Sequence, residues 1–208
     1  MPRPLLLLPL CLCLLSSSCA TSDPAREAWN DELESGLDDP ERRPSLLGRA
    51  LAHADEESAA TRASMVAALP GLSGDLKAPS AEAARAELLA ALDAARRSDP
   101  HFVVRLEAIA ALVQIGGREA ARGLVLSLTE RARDTGLLVE GSPEVRASAC
   151  HGLGLLGEVK PAAALIVTLH DPVPWVRVAA RQALIRLAGG EKARSASEWE
   201  RWYQERRP

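Results

Sequence analysis

Aromatic side chains are scarce in these 208 residues, with one Phe, one Tyr and four Trp making up 3% of the chain. A core of ordinary density must then be filled mainly by Ala, Leu and Val. Such small side chains let helices approach closely, which favours stacked helix pairs and disfavours a sheet, whose strands draw on β-branched and aromatic residues. Cationic excess is missing too. The formal net charge of −3 argues against a general nucleic-acid binder, because such proteins displace counterions with a basic surface. Catalytic signatures are also absent: there is no His-Glu-x-x-His, no Walker loop, no Gly-x-Ser-x-Gly and no paired-cysteine metal spacing. Cys150 and His151 are adjacent, but neighbours on a helix point in different directions and do not make a dyad by themselves. No enzyme activity, cofactor or metal is expected.

A disulfide framework is not available either. The four cysteines are Cys11, Cys13, Cys19 and Cys150, and the first three sit in or beside an apolar leader. Arg3 supplies a minimal basic start, and Leu5 to Leu15 is an apolar run broken only by Pro9. That run is too short for a comfortable membrane span and the right size for a signal-peptide core. Leu15-Ser16-Ser17-Ser18-Cys19 resembles a bacterial lipobox, in which the cysteine is lipidated and becomes the mature N-terminus. It departs from the usual pattern because Ser16 stands where leucine is commonest. Cleavage after Ala20 by an ordinary signal peptidase is the alternative, with small residues at Ser18 and Ala20. Either route leaves Cys150 alone in the mature chain, as a small buried hydrophobe.

What is abundant is a repeat. Val104-Arg105 is followed by Ala108, Ala111-Leu112 and Ile115, and Val145-Arg146 by Ala149, Gly152-Leu153 and Leu156. Val176-Arg177 is followed by Ala180, Ala183-Leu184 and Leu187. The offsets 0, 4, 7, 8 and 11 fall on one helical face, so each copy predicts an amphipathic helix. Asp99-Pro100, Ser142-Pro143 and Asp171-Pro172 predict caps with proline at the first helical position, and Gly116-Gly117, Gly157 and Gly189-Gly190 predict the ends. Second helices are expected over Arg118 to Arg131 and Pro161 to His170. The repeat period is 41 from Arg105 to Arg146 and 31 from Arg146 to Arg177, the extra residues falling in Arg131 to Gly141. Upstream, Thr61-Arg62, Met65 and Ala68-Leu69 keep the offsets, with Pro70-Gly71 predicted to end that helix early. Ala81 to Arg97 and Pro44 to His53 read as further second helices.

The Val-Arg-x-x-Ala-x-x-Ala-Leu pattern resembles bacterial HEAT repeats, including the phycobilisome-lyase-like subgroup, over roughly residues 44 to 190. The resemblance implies an all-α fold, a right-handed α-solenoid of about four helix pairs with terminal capping helices. It also implies a ladder of arginines and acidic residues six positions earlier, here Arg62, Arg105, Arg146 and Arg177 with Glu56, Asp99, Glu140 and Asp171. The expected organisation is a signal peptide over 1–18, a tether and N-terminal capping helix over 19–43, the array over 44–190 and a Trp-rich capping helix over 191–208. Trp29, Leu33 and Leu37 share a face at one end, and Trp199, Trp202 and Tyr203 at the other. Solenoid ends need such polar-backed lids.

The function expected from these observations is a lipid-anchored scaffold in the bacterial cell envelope, held to the membrane through Cys19. The favoured address is the periplasmic face of the outer membrane, with a soluble periplasmic or secreted protein as the alternative. The scaffold would bind a protein partner on the surface of the second helices, with Arg118, Arg122 and Lys160 as contact residues and no nucleic acid. Two other readings stand beside it: an accessory factor that binds or modifies a small molecule, as the lyase-like resemblance implies, and a purely structural lipoprotein.

Overall fold

The structure is a computed structural model that describes residues 23–39, 41–73, 82–130 and 138–206. The expected signal peptide, Cys19 and residues 131–137 lie outside the described residues. Among the described residues the fold is all-α. Its helices are α1 (Pro24–Gly36), α2 (Arg43–Leu51), α3 (Ala59–Leu72), α4 (Glu82–Ser98), α5 (Phe102–Ile115), α6 (Gly117–Thr129), α7 (Pro143–Leu156), α8 (Ala162–Thr168), α9 (Pro174–Leu187) and α10 (Ala196–Arg206). A single 3-10 turn, His53–Asp55, joins α2 to α3.

The repeated apolar offsets become the buried faces of α5, α7 and α9. Val104, Ala108, Ala111 and Leu112 are buried, as are Val145, Ala149, Gly152 and Leu153, and Val176, Ala180, Ala183 and Leu184. Residues four, seven and eight apart lie within one helical stripe, so one side of each helix turns inward. Each fully buried leucine, such as Leu112 or Leu153, contributes about 1.5–3 kcal/mol relative to an exposed one. Small residues set the spacing. A Cβ on Gly152 of α7 would stand 2.6 Å from Val113 Cγ2 of α5, and one on Gly154 would stand 3.0 Å from the Ala183 Cα of α9.

These helices form two rows. In the first row α1 packs on α3, α3 on α5, α5 on α7 and α7 on α9. In the second, α4 packs on α6 and α6 on α8, and α10 continues that row by packing on α8. The rows are tied by α2, α4, α6 and α8, each of which packs on the first-row helix that follows it in sequence. Trp29 is fully buried under α1, with the Arg49 guanidinium 5.3 Å from the centre of its ring. At the far end Trp199 and Trp202 of α10 are buried edge to face, ring centres 5.5 Å apart.

Three helix boundaries differ from the sequence expectation. Ser142 caps α7 as expected, its Oγ accepting from the Val145 N–H with Pro143 as first residue. Asp99 and Asp171 do not cap in that way: α5 starts at Phe102 behind His101, and α9 at Pro174 behind Val173. Each of these carboxylates instead accepts from the N–H two residues on, at His101 and Val173, both 2.9 Å. An Asx-type turn of this kind satisfies the local donor and delays the helix. Pro70 does not end α3 early, because the helix runs on to Leu72. A proline in the last turn forfeits one backbone bond near an end that already frays, and Ser73 N–H closes the turn on the Leu69 carbonyl at 3.2 Å.

Candidate functional site

The arginines of the repeat make one arrangement three times. Arg62 Nε and Nη2 donate to the two Asp99 oxygens at 2.7 and 3.1 Å, while its Nη1 donates to the Glu56 and Glu57 carbonyls, both at 2.9 Å. Arg105 pairs with Glu140 at 2.8 and 2.9 Å and reaches the Asp99 and Pro100 carbonyls at 2.9 and 3.2 Å. Arg146 pairs with Asp171 at 2.8 and 3.0 Å and reaches the Glu140 and Gly141 carbonyls at 3.0 and 3.1 Å.

Each guanidinium therefore grips two turns. It holds the carbonyls of the turn before its own helix and the carboxylate of the turn before the next first-row helix. The acidic residue six positions before an arginine lends that arginine its backbone carbonyl, and its carboxylate serves the arginine of the preceding copy. Arg177 takes the Asp171 and Pro172 carbonyls at 2.9 and 3.1 Å. Among the described residues its Nε and Nη2 meet no carboxylate, and no arginine meets the Glu56 carboxylate.

These rungs are buried and charged. The Arg146 and Asp171 side chains are 5% and 2% exposed. Burial pushes the Asp171 carboxyl up, and the Arg146 hydrogen bonds and the Val173 N–H outweigh it, leaving the group below its ordinary value. Asp99 behaves alike: burial raises it, and Arg62 with the His101 N–H brings it lower. Four of the five N–H donors of Arg146 are already committed, so its chemistry is that of a fork closed on this chain rather than one open to an anion.

Other titratable groups have different settings. Burial pushes the Cys150 thiol up to about 12, so it carries no nucleophilic thiolate at neutral pH. His151 beside it is exposed, and the two form no pair. Burial also raises the Glu107 carboxyl. His53 is buried with Nδ1 3.2 Å from the Ala50 carbonyl, and His101 accepts from the Val103 N–H at 3.4 Å. Among the described residues no three His, Cys, Asp or Glu side chains are grouped to hold a metal ion.

A cleft of about 160 Å³ is lined by Arg96, Arg97, Arg105, Ser127, Glu130 and Glu140. Sequence reasoning had passed over it. Its charges are internally matched: Arg96 donates to Asp93 at 2.7 and 3.0 Å and to Ser127 Oγ at 3.3 Å, and Arg105 is closed on Glu140. The Asp93–Arg96 spacing of one helical turn was the signal available.

The expected partner-surface residues are all exposed. Arg118 and Arg122 lie one turn apart on α6, and Lys160 lies in the turn before α8, which packs on α6. Among the described residues none of these three side chains has an ion-pair or hydrogen-bond partner. No protein-family model matches the chain, and no curated protein matches it. The outer side of α9 is the other exposed feature, with Trp175 at 55% and Val178 at 53% exposure. The signal for it was apolar residues at positions that the last copy of a repeat would be expected to make polar.

Proposed function

We propose that this chain is a HEAT-like α-solenoid, exported and held to a bacterial membrane through a lipidated Cys19, that serves as a scaffold for a protein partner. The rung repeated at Arg62, Arg105 and Arg146 carries the architectural part of this reading. It ties each helix pair to the next at one register, as an array of nearest-neighbour units requires. The functional part rests on Arg118, Arg122 and Lys160, three cations on neighbouring second-row elements. Cations left unpaired on such a surface suit an acidic partner face, where complementary charge sets association rate and orientation. No helix among the described residues is long and apolar enough to cross a membrane, so the anchor is assigned to the N-terminal lipid. Bacterial lipoproteins carry several acyl chains, which gives stable rather than marginal attachment.

The test is the intact mass of the mature protein from its own membranes, combined with proximity labelling in the same cells. An N-terminus at Cys19 with acyl mass is expected, together with a recurrent labelled neighbour. That neighbour should be lost when Arg118, Arg122 and Lys160 are reversed to glutamate. A plain N-terminus at Thr21 would overturn the anchor, and a neighbour indifferent to the reversal would overturn the surface.

A further inference from the structure

The two joints that precede α9 define what the outer side of a first-row helix takes. Arg105 of α5 reaches the carboxylate of Glu140 in the turn before α7. Eight residues on, Val113 lies against Gly152. Arg146 of α7 reaches Asp171 before α9, and eight residues on, Gly154 lies against Ala183. On α9 the same offsets point outward. Arg177 offers Nε and Nη2 with no acceptor among the described residues, and Ile185 stands at the register of Val113 and Gly154. Trp175 and Val178 are more than half exposed, whereas Val103 and Leu106, at the same registers on α5, are partly buried against the core. The helix that follows does not fill this side, because α10 packs on α8 in the other row.

The opposite end of the first row carries the complementary character. α1 packs inward through Trp29 and presents Glu27, Asp31 and Glu34 on its exposed side, with Ala28 and Ser35 between them. Small residues there allow close approach of another helix, as Gly152 and Ala183 do within the chain. The helix also opens on Asp23-Pro24, the same dipeptide as Asp171-Pro172, which supplies a rung carboxylate. The outer side of α9 is basic by contrast, with Arg177 and the exposed Arg186. Pairing α9 with α9 across a two-fold axis would set these like charges together, whereas pairing α9 with α1 sets opposite charges together.

We propose that the outer face of α9 stacks head to tail on the outer face of α1 of a second copy, continuing the first row from one molecule into the next. Arg177 then takes a carboxylate at the start of that helix, Asp23 or Glu27, and Trp175 and Val178 are covered. Such a contact is heterologous, so it repeats and builds open chains of molecules rather than stopping at a dimer. It is independent of the surface of Arg118, Arg122 and Lys160.

The experiment is sedimentation velocity on the full chain in mild non-ionic detergent, across protein and salt concentration. Species larger than a dimer should grow with protein concentration and shrink with salt. Arg177→Glu with Arg186→Glu should weaken association roughly 30-fold or more in Kd, the loss expected when a desolvated charge pair is broken. Glu27→Arg, Asp31→Arg and Glu34→Arg together should do the same. An equimolar mixture of the two variants should associate again, because each then meets its complement. Trp175→Ser, at an exposed site, tests the apolar part without altering charge. Circular dichroism reports whether each variant keeps its helices.

A chain that stays monomeric at every concentration would overturn the proposal. So would a species limited to a dimer and indifferent to the α1 reversal, or failure of the folded variants to associate when mixed. A photo-crosslinker at Val178 in native membranes should capture a second copy through α1, and capture of a different protein there would overturn the choice of occupant.

Discussion

Replacing Arg146 with methionine removes one rung while keeping most of the aliphatic stem. Its guanidinium makes two bonds to Asp171 and two to the Glu140 and Gly141 carbonyls. After the change the Asp171 carboxylate, 2% exposed, keeps only the Val173 N–H at 2.9 Å. Leaving a buried charge without its partner costs about 3–5 kcal/mol, a large part of the roughly 5–15 kcal/mol that a native domain has in total. Arg177→Met is the internal reference. It loses two bonds to carbonyls at a half-buried site and leaves no rung carboxylate stranded among the described residues, so about 1 kcal/mol is expected.

Urea unfolding followed by circular dichroism should place the two variants at least about 2 kcal/mol apart. Hydrogen exchange should show α7 and α9 opening before α3 and α5, because a row of neighbours fails first at the broken joint. Adding Asp171→Asn to Arg146→Met should recover part of the loss. The amide can still accept from Val173 N–H and carries no charge that needs a partner. If Arg146→Met costs less than about 1 kcal/mol, or no more than Arg177→Met, the rungs do not hold the helix pairs together as argued.

The other predictions concern pH, the thiol and helix spacing. Asp99 and Asp171 have carboxyls lowered from an ordinary 3.8. Their stabilisation is therefore complete above that value and is lost as pH falls below it through the lowered folded values. The melting temperature should fall steeply below about pH 4, and less steeply in Arg62→Met and Arg146→Met, which lack the pairs being titrated. With Cys11, Cys13 and Cys19 changed to serine, Cys150 should resist Ellman's reagent in the native protein at pH 8 and react at once in urea. Rapid native labelling would contradict its burial. Gly154→Ala should cost about 1–3 kcal/mol, because the new Cβ would meet backbone at Ala183. Gly48→Ala on α2, with nothing within 4 Å, should gain about 0.5–1 kcal/mol in thermal unfolding.

The buried register could be read because it is local. Val104, Ala108, Ala111 and Leu112 repeat their offsets in α7 and α9, and helix geometry alone decides that they share a side. The rungs were only half legible. The arginine and the acidic residue six places earlier are a constant local signature, and their shared carbonyl contact follows from it. The carboxylate partner lies 37, 35 and 25 residues further on, at Asp99, Glu140 and Asp171, and no fixed spacing announces it. The caps at Asp99 and Asp171 were misread for the same reason, since a distant arginine shares those carboxylates. The outer face of α9 was missed because Trp175 and Val178 read as ordinary helix residues until the packing leaves them without a neighbour.

The insertion between the second and third rungs indicates which of these contacts govern the fold. Two joints of unequal chain length have nearly equal geometry, with Arg105 to Glu140 at 2.8 and 2.9 Å and Arg146 to Asp171 at 2.8 and 3.0 Å. The longer connection is pinched at its neck, where the Val139 N–H donates to the Glu130 carbonyl at 2.9 Å. Extra chain beyond that neck adds a loop whose closure entropy rises only slowly with length. The joint between α5 and α7 is left unchanged, with the acid there being Glu140 rather than an aspartate. What the repeat keeps constant is thus the register of helix on helix and the guanidinium that spans it, while chain length varies between. A face obeying the same register at Arg177 and Ile185, with no helix yet on it, is on that reasoning a joint awaiting its partner.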